Sequence, residues 1–385
     1  MKRFLCSEAW LETFRAIIVL LCLSGLISPV FFSQPTPIAK AAVAQRQTVP
    51  TPPQPASRQQ PQSFREAPRP VRGVYITSWT AGSGRMKELT GFLKENGLNA
   101  VVIDVKDDTG VVSYQTQVDL ARKCGAASRR IADPSGLLAG LRAKGILAIA
   151  RIVAFKDPLL AGKRPDLAFK AKAGGSWRDR KGQSWVSPYS QEVWEYLTAL
   201  GKEAIQLGFS EVQYDYVRFP SDGNLSQLVY PEGRPVSKQI GDFLRYATAA
   251  IHSCHQQAVV SADTFGLAGS AVDDLGIGQK IQELDGAADY LSPMAYPSHY
   301  AKGTYALSNP NAAPYQTVKR SIGDHQKLVQ KSKLRPWLQA FTLGPPAYGP
   351  EHLRLQLKAL RELGVAEFLL WNPASRYGVF AGAVQ

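Results

Sequence analysis

The sequence predicts an α/β fold in which eight parallel strands close into a barrel with helices outside. Three observations carry this expectation. From Val71 onward, eight short apolar runs rich in β-branched residues alternate with helical patterns, and such alternation demands parallel strands joined by right-handed crossovers. Eight units in roughly 300 residues match the size of a (β/α)8 TIM barrel. An open doubly wound sheet is the competing arrangement, but Gly82-Ser-Gly84 after the first run leads into Arg85 and Met86 without completing a G-x-G-x-x-G fingerprint.

The expected strands are Val71–Ser78, Asn99–Lys106, Ile146–Phe155, Ser210–Phe219, Ala258–Gly266, Asp289–Tyr296, Leu334–Phe341 and Glu367–Asn372. Helical patterns cover Met86–Asn96, Ser135–Lys144, Ser190–Leu207, Val236–His255, Gln279–Ala287, Ala313–Lys331 and Glu351–Leu363. Gly97, Gly145, Gly208 and Gly364 each stand where a helix end needs a left-handed residue, just ahead of the next strand. Only Pro373 to Gln385 follow the last strand, so the eighth helix is expected to be truncated or missing.

Not all 385 residues are expected to join the fold. Lys2, Arg3 and Arg15 precede the apolar run Ala16–Phe32, and Ala42-Val-Ala44 gives an A-x-A-like context, so residues 1–44 read as a secretory signal cut after Ala44. An uncleaved membrane anchor is the alternative, because the run approaches a bilayer-spanning length. Residues 45–70, rich in Pro and Gln with little that is large and apolar, read as an extended linker. The barrel then occupies residues 71–385, as a single domain of an exported or cell-envelope protein.

Outside the signal only Cys124 and Cys254 remain, too few for a disulfide framework, and barrel geometry places them on opposite rims, unbonded. No Cys/His spacing fits a zinc site, and no cofactor is expected. The net charge is +14. A basic chain suits nucleic acid or an acidic polymer, but export argues against nucleic acid and the charges are scattered. The expected state is a monomer that meets a membrane only through its N-terminal segment if that is uncleaved.

Loops after parallel strands form the functional rim of such a barrel. Those after the third, fourth and sixth strands (Lys156–Pro188, Ser221–Pro235, Pro297–Ala312) are long and rich in Gly, Pro and aromatics, as a substrate groove requires. Near the same rim stand Asp104, Lys106 and Asp107, then Arg151, Asp215, Arg218 and Asp263, then Tyr296, Ser298, His299, Gln339, Trp371 and Asn372. Sugar rings stack on aromatic faces, their hydroxyls bond to amides, carboxylates and guanidinium, and glycoside hydrolysis needs two carboxyl groups. Asp104, Asp107 and Asp108 make a weaker case for a calcium site, since they lack regular ligand spacing.

The phrases Asp104-Val-Lys-Asp-Asp-Thr-Gly110, Gly208-Phe-Ser-Glu-Val-Gln-Tyr-Asp-Tyr-Val-Arg-Phe-Pro220, Ser261-Ala-Asp-Thr-Phe-Gly266, Ser292-Pro-Met-Ala-Tyr-Pro-Ser-His-Tyr300 and Trp337-Leu-Gln-Ala-Phe341 resemble the bacterial "putative glycoside hydrolase domain" family, from about Arg72 to Asn372. The resemblance implies a barrel related to α-amylase-type hydrolases, with the fourth-strand Asp215 as nucleophile. The fifth strand departs from that pattern by offering Asp263 where those enzymes place a Glu acid/base.

The reading is therefore a glycoside hydrolase acting on a bacterial or extracellular polysaccharide, with Asp215 and Asp263 as catalytic residues. Arg151 and Arg218 are expected to hold Asp215. Asp104, Lys106, Arg151, Arg218, Tyr296, His299, Gln339, Trp371 and Asn372 are expected to contact substrate. Adjacent strands about 4.8 Å apart bring the two carboxyls near the roughly 5–5.5 Å of a retaining pair. The rivals are a non-catalytic polysaccharide-binding barrel and a metal-dependent deacetylase, the latter needing His and Asp ligands to converge on one site.

Overall fold

The computed structural model describes residues 70–231 and 233–384. The expected signal (1–44) and the expected linker up to residue 69 lie outside the described residues. The strands are β1 (Arg72–Ile76), β2 (Ala100–Lys106), β3 (Leu147–Val153), β4 (Glu211–Asp215), β5 (Val259–Phe265), β6 (Tyr290–Ala295), β7 (Lys333–Leu334), β8 (Trp337–Gln339) and β9 (Phe368–Trp371). All pair in parallel, in the order β5-β4-β3-β2-β1-β9-β8-β6-β7, and a further β5–β6 pairing closes the ring. This is the expected (β/α)8 barrel, with its seventh strand in two pieces. Pro336 has no N–H to give the ladder, so β7 and β8 stand on either side of Arg335-Pro336.

Principal helices follow the strands outside the barrel: Arg85–Glu95, Pro134–Ala143, Gln191–Leu207, Val236–Cys254, Pro314–Leu328 and Pro350–Glu362. Gly97, Gly145, Gly208 and Gly364 all take positive φ, as the helix-stop reading required. After β9 only a 3₁₀ turn, Gly378–Phe380, stands where an eighth helix would be. The expected helix Gln279–Ala287 shortens to one turn, Ile281–Leu284. Gln279 spends its side chain on the backbone of Phe265 and Asp263. Asp285 turns out of the helix, and its carboxylate accepts from the amides of Gln330, Lys331 and Ser332.

Strand side chains alternate between two cores. Outward residues such as Val101, Ile103, Ala150, Val212 and Val260 pack under the helices. Inward residues Val71, Tyr75, Ala100, Val102, Ile149, Trp337 and Leu369 fill the lumen with Tyr296. The N-terminal end of the lumen is polar. There Glu211 pairs with Arg335, takes a 2.5 Å bond from the Ser261 hydroxyl, and is buried. The Arg335 guanidinium also covers the Tyr290 ring at 4.4 Å.

Candidate active site

The other end of the lumen carries the candidate chemistry. The register Tyr214↔Ala262 between β4 and β5 sets Asp215 and Asp263 side by side one step further on. Gln279 ties the two strand ends together, donating to the Asp263 carbonyl at 3.0 Å and the Val217 carbonyl at 3.4 Å while accepting from the Phe265 amide at 2.8 Å.

Asp215 ends β4. Its Oδ2 accepts from Arg151 Nε at 3.0 Å and Nη2 at 2.5 Å, and its Oδ1 accepts from the Tyr216 amide at 2.6 Å. Tyr216 has φ of 48°, a left-handed conformation unusual for a tyrosine and of the kind that collects at functional sites. Arg151 also donates to Asp104 Oδ1 at 2.6 Å, and Asp104 Oδ2 takes the Tyr75 hydroxyl at 2.6 Å. Tyr75 stacks on Trp371 with centroids 3.9 Å apart, so an aromatic pair holds the arginine from behind.

Asp263 is differently placed. It is 2% exposed, and Trp337 Nε1 donates to its Oδ1 at 2.8 Å. Burial, reinforced by the Asp215 charge, pushes its carboxyl well above the usual carboxylate range. One carboxylate is thus fixed in an ion pair, and its neighbour is biased toward the protonated form. A buried carboxyl biased toward its protonated form, beside an ion-paired one, has what a general acid requires.

Around the pair lies a cleft of about 390 Å³ lined by Arg151, Asp215, Tyr216, Arg218, Asp263, Phe265, Gly266, Leu267, Met294, Tyr296, His299, Tyr300 and Trp371. Any side chain at Gly266 would meet the Tyr300 hydroxyl at 1.9 Å, so glycine here lets the sixth-strand loop close over the fifth strand. The long loops after β3 and β4 are tied to each other by the bonds Lys172 N–H to Gln227 O and Val229 N–H to Lys170 O. Apart from Tyr216 and Arg218 directly after β4, however, the cleft itself takes its loop residues from beyond β5 and β6.

Of the expected substrate contacts, Arg151, Arg218, Tyr296, His299 and Trp371 line the cleft. The others do not. Lys106 is fully buried, 2.9 Å from Asp157 and 2.6 Å from the Val153 carbonyl. A bulge between Asp104 and Lys106 registers Lys106 opposite Ile152, an outward position, which turns it away from the lumen. Asp104 sits behind Arg151. Gln339 is buried, accepting from the Ser298 amide and donating to the Phe341 carbonyl, and Asn372 shapes the turn after β9 through the Ala340 and Arg376 carbonyls. Arg218 does not hold Asp215 either, since its bonds go to the Phe219 carbonyl and the Ser221 hydroxyl.

The weaker cation reading fares no better. Asp104, Asp107 and Asp108 pair separately with Arg151, Arg130 and Lys156. Among the described residues no group of three or more His, Cys, Asp or Glu side chains converges as a metal site would, as the deacetylase alternative required. Cys124 is buried, Cys254 exposed, and both are free. No helix of the described residues is long and apolar enough to cross a membrane.

Sequence reading passed over Trp337, Tyr75, Gln279 and Tyr300. Trp337 had a signal, because period-2 alternation puts it on the same lumen face as Gln339.

A closed parallel barrel with paired carboxyls in an aromatic cleft at its C-terminal rim defines a class, the TIM-barrel glycoside hydrolases. The chain belongs to the family described as "putative glycosyl hydrolase domain", whose model matches residues 73–377. A hypothetical protein from Ruminiclostridium thermocellum ATCC 27405 is 36% identical over 49% of this chain and 96% of its own, with a TM-score of 0.45. The β-galactosidase from the psychrophilic Marinomonas ef1 shares 11% identity at a TM-score of 0.56, covering 82% of this chain and 58% of that one. α-L-Fucosidase isoenzyme 2 from Paenibacillus thiaminolyticus shares 13% at 0.54, covering 81% and 48%. At these identities the two enzymes are similar in fold alone. Comparison with curated proteins gives no match.

Proposed function

We propose that this glycoside hydrolase cleaves a bacterial or extracellular polysaccharide by a two-carboxylate, retaining mechanism. Asp215 attacks the anomeric carbon while Asp263 gives its proton to the departing glycosidic oxygen. A water then enters, Asp263 takes its proton, and the hydroxyl oxygen displaces Asp215 from the sugar. Tyr296, His299 and Trp371 offer the sugar its ring surfaces, and Arg151 keeps Asp215 aimed.

The observation that carries this reading is the contrast between the two neighbours: Asp215 fixed by Arg151, Asp263 buried and pushed toward its protonated form. Side-by-side placement on adjacent strands supports retention over inversion, which needs about 6.5–9.5 Å between carboxyls to admit a water. Export by the N-terminal segment, with action as a monomer in the cell envelope or outside the cell, belongs to the same proposal and rests on residues 1–44 of the sequence.

A glycan panel incubated with the wild type and with Asp215→Asn tests it. Products from the wild type alone, with the anomeric configuration of the cleaved bond kept in the first NMR spectra, are expected. Binding without cleavage by either protein would leave a polysaccharide-binding barrel in place of an enzyme.

A further inference from the structure

The cleft holds two arginines, and only one is matched. Arg151 is shared by Asp104 and Asp215. Arg218 is 9% exposed and lines the same cleft. Its Nη1 donates to the Phe219 carbonyl at 2.9 Å and the Ser221 hydroxyl at 3.3 Å, and among the described residues neither Nε nor Nη2 meets a protein acceptor. Asp215 and Asp222 act on it only through space, neither forming an ion pair with it. Three rings surround the guanidinium: Trp185 at 5.1 Å, Tyr216 at 5.0 Å and Phe265 at 4.8 Å.

Ring faces attract a cation but do not replace the hydration it loses. Burial accordingly depresses the Arg218 pKa, the mark of a desolvated charge that lacks compensation. The free edge, Nε with Nη2, is the side of the guanidinium that matches the two oxygens of a carboxylate. If fixing the turn at Phe219 and Ser221 were its whole role, Nη1 alone would serve. Two acids of the cleft do not repel an incoming anion strongly, since Asp215 is held in an ion pair and Asp263 is biased toward its neutral form.

We propose that Arg218 forms a subsite for an acidic sugar, pairing with the carboxylate of a uronic-acid residue in the glycan bound beside Asp215. This deepens the hydrolase reading of the same cleft and names its substrate class. A neutral glycan leaves the Nε and Nη2 protons to weaker hydroxyl partners, so the carboxylate is the group that the site discriminates.

The test uses the full chain and matched aryl glycosides, in both anomers, that differ only in a C6 carboxylate, hydroxymethyl or sulfate ester. Wild type is expected to favour the carboxylate in kcat/KM. Arg218→Gln should cut that preference roughly 30-fold, the worth of a charge-assisted bidentate bond. Arg218→Lys, which keeps the charge without the fork, should retain part of it and carries the comparison if the Gln variant does not fold. A preference for the neutral sugar, or a ratio that Arg218→Gln leaves unmoved, overturns the subsite while the hydrolase reading stands. A stronger Arg218-dependent preference for the sulfate ester overturns the carboxylate assignment. If no glycoside is cleaved yet Asp215→Asn binds uronate oligosaccharides in calorimetry, and Arg218→Gln removes that binding, the subsite stands and the hydrolase reading falls.

Discussion

The indole nitrogen of Trp337 lies 2.8 Å from Oδ1 of Asp263, a bond from β8 to β5 across the barrel lumen. It favours the ionised carboxyl and so opposes the upward push of burial. Trp337→Phe removes the donor and keeps an aromatic ring, at the cost of a gap where the larger indole packed, and the Asp263 pKa should rise further. A general acid works in its protonated form. The alkaline limb of the kcat/KM profile should therefore move to higher pH in the variant, measured on the best substrate of the glycan panel. An unmoved or lowered limb contradicts Asp263 as the acid.

The same carboxyl makes a prediction about stability. A group whose folded pKa is raised favours folding most below its unfolded value, 3.8 for this Asp, and that contribution is lost as pH rises through the folded pKa. Asn in its place still accepts the indole bond and never ionises. Asp263→Asn should therefore melt higher than wild type at neutral and alkaline pH, by roughly 2 °C or more, with the gain shrinking toward pH 3. Calorimetry across that range checks the sign; a gain that grows toward acid pH contradicts it.

At the opposite end of the lumen, Glu211 and Arg335 form a buried ion pair far from the cleft. Arg335→Met leaves Glu211 buried without its cation and should cost about 3–5 kcal/mol in urea unfolding. Adding Glu211→Leu should restore most of the loss, because the unpaired charge is then gone. A cost below about 1 kcal/mol for the single variant shows that the pair contributes little.

The sequence made the barrel legible because its signals are local. Alternating strand and helix patterns, together with glycines such as Gly208 at helix ends, need no knowledge of distant contacts. That Asp215 and Asp263 face the cleft was legible for the same reason, each standing in the C-terminal half of a recognisable strand. Lys106 was not, since one bulged residue after Asp104 reverses which face a strand residue takes, and nothing local to Asp104-Val-Lys106 marks the bulge. Gln339 and Asn372 look like sugar ligands by residue type, but backbone carbonyls claim their amides. The face that Trp337 takes was readable, but the bonds of Trp337 and Tyr75 were not, because their partners, Asp263 and Asp104, lie 74 and 29 residues away. Such pairings appear only once the barrel closes.

The most direct test of the two-carboxylate account is leaving-group dependence. Matched dinitrophenyl and phenyl glycosides of the sugar that the panel identifies would be compared across wild type, Asp215→Asn and Asp263→Asn. A dinitrophenolate departs without a proton, whereas a phenolate needs one, and a positioned acid contributes typically 10²–10⁴-fold. Asp263→Asn should therefore lose about that factor in formation of the glycosyl intermediate on the phenyl glycoside and little on the dinitrophenyl one, and Asp215→Asn should be inactive on both. Equal losses on the two substrates for Asp263→Asn, or wild-type turnover by Asp215→Asn, would contradict the assignment.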